Sequence, residues 1–159
     1  MEDIYHVPLK KLVEEFGLQV VYAASDYDSI CLQVPDVARP GIQLAGYFEY
    51  FDARRLQVLG NVEMSYLSKL SEEERKQVFD RLFSYRFPAL LIARDMQPHE
   101  ACFEMAKKHD VTLLRTNEPT STIVSNIVTY LRVSLAPRIT RHGVLMEVYG
   151  EGLLLTGES

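Results

Sequence analysis

The spacing of hydrophobic residues changes several times in the first part of the 159-residue chain. Residues 8–16 carry apolar side chains at helical intervals behind a proline, and Gly17 follows, which predicts one short helix. Two runs rich in β-branched residues, 18–23 and 29–34, predict strands on either side of a polar turn. Pro40-Gly41 predicts a further turn.

From residue 54 onward strand-like and helical patterns alternate. Residues 54–60 predict a strand, after which helical character dominates. The later predicted elements are a helix that begins with a Ser71–Glu74 capping box, a strand at 89–93, a helix from Pro98 to 110, a strand at 111–115 and a helix that stops before Pro137. This alternation predicts a three-layer α/β domain with a mostly parallel sheet.

The pattern changes again after residue 135. Residues 143–157 predict two strands around the turn at 149–152, hence a β-hairpin. We therefore expect an α/β domain at 1–135, followed at 136–159 by a linker and the opening hairpin of a second domain.

Composition excludes some classes of function. The net charge of −5 gives no electrostatic reason to expect nucleic acid or an anionic membrane as a partner. No apolar run approaches the ~20 residues of a membrane span, and residues 1–11 lack the apolar core of a signal peptide, so we expect a cytoplasmic protein. Cys31 and Cys102 have no companion at metal-ligand spacing and are interpreted as reduced thiols.

Two candidate sites lie near the end of the sequence. Residues 153–156 lead into Gly157-Glu158-Ser159, as a strand leads into a phosphate-binding loop, although a strand that ends in a polar turn has the same pattern. His142 precedes the hairpin and is either a functional residue or an exposed bystander. The other histidines, His6, His99 and His109, are interpreted as structural or exposed.

Two further features lie within the first domain. The hydroxyls of Thr120-Ser121-Thr122 stand at the head of the last long helix, where they either cap it or surround an anion site. The aromatic residues of segment 47–51 are either core residues or a contact surface. The first 135 residues show no carboxylate pair, Cys/His dyad or Ser–His–Asp set, so this part of the sequence does not look like an active site.

Five segments, in order along the chain, resemble bacterial HPr kinase/phosphorylase. The resemblance is most specific in the last one, where H-G-V-L is followed by a hairpin that runs into T-G-E-S. The segments are ARPGIQLAGYFEYF (38–51), LQVLGNVEMSYL (56–67), SEEER (71–75), LLRT (113–116) and APRITRHGVLMEVYGEGLLLTGES (136–159).

The resemblance implies a bifunctional, homohexameric enzyme of carbon catabolite repression. Such an enzyme phosphorylates a serine of HPr, a phosphocarrier of the sugar phosphotransferase system, with ATP or pyrophosphate, and removes that phosphate by phosphorolysis. It also implies that the first domain is similar in fold to the first domain of the UDP-N-acetylmuramoyl peptide ligases. The second domain would be a kinase domain built on a phosphate loop with Mg²⁺.

Carried over by position, His142 matches a histidine among the family's active-site residues, and Gly157, Glu158 and Ser159 match the first three residues of the ATP-binding loop. The loop lysine, the Mg²⁺ ligands and the catalytic aspartate have no counterpart in the sequence. We therefore expect a sequence cut inside the loop, inactive alone and without a bound cofactor. The alternative is a self-sufficient ligand-sensing or oligomerisation module without enzymatic activity.

Overall fold

The structure is a computed structural model that describes residues 6–136. Its strands are β1 (Val7–Pro8), β2 (Gln19–Tyr22), β3 (Cys31–Leu32), β4 (Val37–Ala38), β5 (Leu56–Leu59), β6 (Ala89–Ile92) and β7 (Thr112–Arg115). Its α-helices are α1 (Leu9–Phe16), α2 (Gly41–Leu44), α3 (Asn61–Ser68), α4 (Glu72–Phe83), α5 (Glu100–His109) and α6 (Thr120–Leu135). A short 3₁₀ helix covers Tyr27–Ser29.

Five strands form the main sheet in the order β2-β7-β6-β5-β4. Strands β4, β5, β6 and β7 run parallel, and β2 pairs antiparallel with β7 at one edge. The mostly parallel sheet confirms the prediction from the alternating pattern. The strand predicted at 29–34 is reduced to β3, which pairs antiparallel with β1 in a separate small sheet.

Two hydrophobic clusters lie on opposite faces of the main sheet. Because neighbouring strand residues point to opposite faces, Leu59 and Ile92 enter one cluster while Val58 and Leu91 enter the other. Residues of α3, α4 and α5 cover the first face, and residues of α1 and α6 cover the second. These are the three layers predicted from the sequence.

Local signals set the ends of three helices as predicted. Gly17 ends α1 in the left-handed conformation with φ 60°. The Ser71–Glu74 capping box opens α4, with hydrogen bonds of 3.0 and 3.1 Å. Helix α6 ends at Leu135, before Pro137. The predicted domain boundary at 136 and the hairpin at 143–157 concern residues 137–159, which lie outside the described residues.

Two local predictions differ from the structure. The turn predicted at Pro40-Gly41 is the start of α2, because proline fits the entry to a helix as well as a turn. Helix α5 begins at Glu100 and not at Pro98, since the carbonyl of His99 accepts the first helical hydrogen bond. The buried face of α5 is formed by Ala101, Cys102, Met105 and Ala106.

Candidate functional site

The two candidate sites predicted near the end of the sequence do not fall in the part of the chain that the structure describes. His142 and Gly157-Glu158-Ser159 lie outside residues 6–136, so their roles stay predictions. Within the described residues, polar side chains converge where parallel strands end. Ligands of open α/β sheets bind outside the carboxyl ends of the strands, so this edge is the candidate site.

Arg39 and Glu63 meet at this edge. Arg39 follows β4 directly, and Glu63 lies in the first turn of α3, the helix that follows β5. Arg39 Nη2 donates to Glu63 Oε1 at 3.0 Å, and the same carboxylate oxygen accepts from the backbone N–H of Gly60 at 2.6 Å. Glu63 therefore provides an acceptor for a free backbone N–H at the start of α3 and also fixes the guanidinium of Arg39. Of the Arg39 side chain, 42% is exposed.

Gly60 leaves space for two side chains that a larger residue would exclude. A Cβ at this position would lie 2.5 Å from Thr120 Oγ1, 2.9 Å from Thr120 Cγ2 and 2.7 Å from Arg39 Nη2. The side chains of Arg39 and Thr120 fill the space above Gly60, and we call this close contact the Gly60 notch. Only glycine permits this approach of α6 and Arg39 to the end of β5.

Thr120 is the first residue of α6 and is only 5% exposed. Among residues 6–136 its buried Oγ1 has no hydrogen-bond partner. The predicted capping of α6 by hydroxyls at 120–122 is wrong, because Pro119 occupies the cap position and no described side chain caps this helix. The first N–H groups of α6 thus point at the edge of the sheet without a capping acceptor.

The loops after β6 and β7 are tied to each other beside the notch. The backbone N–H of Arg94 donates to the Glu118 carbonyl at 2.9 Å, and that of Asp95 to the Thr116 carbonyl at 2.7 Å. Both donors have positive φ, 61° and 57°, a conformation that non-glycine residues rarely adopt. Arg115 adds a hydrogen bond of 2.7 Å to the Asp95 carbonyl. Hydrogen bonds therefore connect the two loops at the edge of the sheet that carries the notch.

A second polar cluster surrounds Asp110 at the opposite end of β7. Its carboxylate accepts from Ser25 Oγ and, at 2.6 Å, from the hydroxyl of Tyr22. These bonds, that of Ser25 first, lower the pKa of Asp110 from its ordinary 3.8 to about 2. Asp110 also ends α5 in the left-handed conformation. The cluster therefore has a structural role, because its hydrogen bonds join the end of α5 to the end of β2.

The described histidines have structural surroundings or are exposed. His109 Nε2 lies 2.7 Å from Asp80 Oδ1 and is the main cause of the lowered pKa of that carboxylate. His99 Nε2 lies 3.1 Å from Ser68 Oγ, and burial lowers the pKa of this imidazole. His6 is exposed. Residues 6–136 contain no group of three or more His, Cys, Asp or Glu that could hold a metal ion.

The two cysteines are buried or partly buried thiols, and the aromatic segment 47–51 is partly buried and partly exposed. Cys31 and Cys102 are free, and full burial raises the pKa of the Cys102 thiol. In segment 47–51, Phe48 stacks on Tyr85 with ring centres 4.5 Å apart, whereas Tyr50 is 93% exposed. The segment is thus core packing on one side and surface on the other. No helix within residues 6–136 is long and apolar enough to cross a membrane.

Arg39, Gly60 and Glu63 were not predicted from the sequence. Two signals were available: an arginine directly after a strand, and the spacing of a glycine with a glutamate three residues later at the start of a helix. The distance of 24 positions between Arg39 and Glu63 hides their contact until the order of the parallel strands is known.

Comparisons with known proteins match most of the chain. Residues 7–131 match the model of a family described as HPr Serine kinase N terminus. An HPr kinase/phosphorylase of Lachnoclostridium phytofermentans is 40% identical over 156 residues, which cover 98% of this chain and 50% of the relative. One of Caldicellulosiruptor bescii is 39% identical with the same coverage. The chain spans about half the length of the curated relatives it matches.

One solved structure is similar in fold. It is a crystal structure of the CBS and DRTGG domains of the regulatory region of Clostridium perfringens pyrophosphatase, complexed with the activator diadenosine tetraphosphate. The TM-score is 0.54 and the sequence identity 14%, with 77% of this chain and 46% of that chain covered. At this identity the likeness concerns the fold alone, and it agrees with the three-layer α/β architecture.

Proposed function

The chain belongs to the family described as HPr Serine kinase N terminus, and on that premise we propose that it is the N-terminal half of a bifunctional HPr kinase/phosphorylase. The observation that carries the proposal is the match over 98% of this chain to relatives of that name. The parent enzyme phosphorylates a serine of HPr with ATP and Mg²⁺ and removes the phosphate by phosphorolysis. In this way it controls carbon catabolite repression in the cytoplasm.

The catalytic role within these residues is assigned to the segment after the described domain. His142 is the proposed active-site histidine, and Gly157, Glu158 and Ser159 are the first residues of the proposed ATP-binding loop. The boundary proposed at 136 separates them from the α/β domain. The family match to residues 7–131 supports this division.

A polypeptide of only these 159 residues is proposed to be inactive. Phosphoryl transfer depends on positioning and on neutralising the charge of the transferred group, which a loop lysine and Mg²⁺ ligands supply. The sequence contains no lysine after Lys108. ATP and Mg²⁺ are therefore proposed as cofactors of the parent enzyme only.

Assembly is the second candidate role of the described domain, and the exposure of Tyr50 favours it. The backbone of Tyr50 has an unfavourable φ of 64°, and its side chain is 93% exposed, so packing within the subunit does not compensate for this conformation. Tyr47 beside it is also exposed. We place a contact surface of the hexameric parent at these two rings.

Transfer of labelled phosphate tests the enzymatic proposal. We expect the full-length parent protein to transfer ³²P from γ-labelled ATP to HPr in the presence of Mg²⁺, and the 159-residue chain to transfer none. A His142→Ala variant of the parent is the matched control, with lower transfer and an unchanged melting temperature. Labelling of HPr by the 159-residue chain alone would overturn the assignment of its inactivity.

A further inference from the structure

A cavity of about 280 Å³ lies where β6 and β7 begin, at the edge of the main sheet opposite to the Gly60 notch. Its walls come from residues within segment 26–33 and from residues just before β5, β6 and β7. Sites for small molecules typically have volumes of ~300–1,000 Å³, so this cavity suits a small metabolite. Charged side chains of both signs line it together with apolar ones.

Arg86 brings a positive charge to this cavity from a strained backbone position. It follows the end of α4 by three residues and has a φ of 55°, while its N–H donates to the Phe83 carbonyl at 3.0 Å. Glycine is the usual residue at such a position after a helix. After the hydrogen bonds from Ser25 and Tyr22, the charge of Arg86 is a further, smaller cause of the lowered pKa of Asp110. A role of the guanidinium in ligand binding explains why arginine occupies this position.

Arg54 supplies a second guanidinium whose orientation is fixed. Its Nε and Nη2 atoms donate to the two carboxylate oxygens of Asp52, both at 3.0 Å. This bidentate pair sets the plane of the group and leaves the Nη1 donors for a ligand. Arginine donors in this fork geometry match the two oxygens of a carboxylate.

Asp26 is the negative group of the cavity that is available to a ligand. Asp110 also lines the cavity, but both of its oxygens already accept from Ser25 or Tyr22. Within residues 6–136, neither Asp26 nor Arg86 belongs to an ion pair. Because α4 and α5 end at this edge, the negative ends of their dipoles favour a ligand that also carries a positive charge.

We propose that this cavity binds a free amino acid with an apolar side chain. The ligand carboxylate accepts from Arg86 and Arg54, and the ligand ammonium donates to Asp26. The apolar side chain packs on the hydrophobic part of the wall, which includes Ile30, Phe87 and Val111. A ligand with only one charge would leave either the arginines or Asp26 without a partner.

Binding to the ¹⁵N-labelled 159-residue chain tests the proposal independently of any kinase activity. L-leucine is titrated in parallel with isocaproate, which lacks the ammonium group, and with isoamylamine, which lacks the carboxylate. We expect leucine to shift the amides of Cys31, Arg86 and Val111. Either analogue should bind about ten-fold more weakly, because it loses a hydrogen bond between charged groups.

Cys31 provides a second readout of occupancy. Its thiol is free and lines the cavity, whereas Cys102 is fully buried and therefore inert. We expect leucine to slow the reaction of Cys31 with N-ethylmaleimide, and isoamylamine to slow it less at the same concentration.

Two substitutions of the same kind locate the site. Arg86→Gly and Arg94→Gly each remove an exposed arginine with positive φ, 55° and 61°, but Arg94 lies at the other end of β6, away from the cavity. Glycine tolerates both conformations, so both variants should have an unchanged or higher melting temperature. Only Arg86→Gly should bind leucine about ten-fold more weakly.

Asp26→Asn tests the contact with the ligand ammonium. It should lower the affinity for leucine and leave that for isocaproate unchanged. The proposal is overturned if Arg86→Gly binds leucine as the unsubstituted chain does or if Arg94→Gly loses as much affinity. It is also overturned if isocaproate binds as tightly as leucine, or if leucine shifts none of the three amides at tens of millimolar.

Discussion

Arg39 Nη2 and Glu63 Oε1 lie 3.0 Å apart, which joins the end of β4 to the first turn of α3. Glu63 serves two partners with one oxygen, since it also accepts from the N–H of Gly60. This contact sets the position of the Arg39 guanidinium, so its removal affects both the stability of the edge and the direction of Arg39.

Two substitutions at Glu63 separate its two contacts. Glu63→Gln keeps an oxygen for the Gly60 N–H and loses the ion pair, so the free energy of unfolding falls by about 1 kcal/mol, a modest value because Arg39 is partly exposed. Glu63→Ala loses both contacts and lowers it by roughly 2 kcal/mol. Urea denaturation measures both values, and equal losses in the two variants would contradict the double role of Glu63.

Substitution of Gly60 tests the close approach of α6. Gly60→Ala places a Cβ 2.5 Å from Thr120 Oγ1 and 2.9 Å from Thr120 Cγ2. We expect the free energy of unfolding to fall by about 2 kcal/mol, since overpacking forces α6 or β5 to shift. Combining Gly60→Ala with Thr120→Ala removes both contacts with Thr120 and leaves the one with the flexible end of Arg39, at 2.7 Å. The double variant should recover about 1 kcal/mol relative to the sum of the single effects.

Gly41→Ala is the matched control for that experiment. A Cβ on Gly41 meets only Glu63 Oε2, at 4.0 Å, and α2 begins there. Alanine favours helix over glycine, so Gly41→Ala should leave stability unchanged or raise it by up to about 1 kcal/mol. A loss at Gly41 as large as that at Gly60 would mean that glycine is needed for reasons other than Thr120.

The Asp110 cluster predicts an acid-dependent loss of stability. Because the hydrogen bonds from Ser25 and Tyr22 lower the folded-state pKa of Asp110 from 3.8 to about 2, the folded chain binds this proton less readily than the unfolded chain. The resulting stability is present above pH 3.8 and is lost as the pH falls from there towards 2. Asp110→Asn keeps a residue that tolerates φ 58° and removes the titrating group.

Urea unfolding at a series of acidic pH values checks this prediction. The parent chain should lose stability more steeply than Asp110→Asn in the window between the two pKa values. At neutral pH the variant should be the less stable of the two, because the amide accepts more weakly than the carboxylate. Parallel curves for the two proteins would contradict the role of Asp110.

Tyr50 allows folding and assembly to be measured separately. Tyr50→Asn relieves a positive φ that asparagine tolerates better, so we expect stability to rise by about 0.5 kcal/mol. Light scattering of the parent enzyme should show a smaller mass for this variant if the ring contacts another subunit. An unchanged mass with a folded protein rejects the placement of the assembly surface at Tyr50.

The aromatic segment also shows which variant cannot test assembly. Phe48 stacks on Tyr85, and the guanidinium carbon of Arg81 lies 4.6 Å from the centre of the Phe48 ring. Phe48→Ala would therefore disturb the folding of the subunit itself. Val133→Asn, at an exposed position of α6, is a suitable control because it removes apolar surface elsewhere.

The elements of the fold could be predicted because their signals are local. Pro8 and Gly17 bound α1, the Ser71–Glu74 pair opens α4, and the apolar run at 89–93 has the composition of a strand covered on both faces. The sequence did not predict α3 as a helix distinct from α4. Its cap residue, Gly60, has no side chain that can accept a hydrogen bond, so only the Glu63 contact of a capping box is present. Neighbouring residues thus carried enough information for most of the sheet and its layers.

The notch could not be predicted, because it depends on contacts between distant positions. Arg39, Gly60 and Thr120 come from three connections, and their meeting follows from the strand order, which is not contained in any local pattern. The interpretation of the hydroxyls at 120–122 as caps failed because Pro119 holds the cap position.

Mass spectrometry of HPr tests the central claim most directly. Purified HPr is incubated with the full-length parent protein, ATP and Mg²⁺, and its intact mass and the modified residue are determined. Membership in the HPr serine kinase family predicts the gain of one phosphoryl group on a serine, reversed with formation of pyrophosphate when inorganic phosphate replaces ATP. HPr that stays unmodified, or that carries the phosphate on a residue other than serine, would contradict the proposed function.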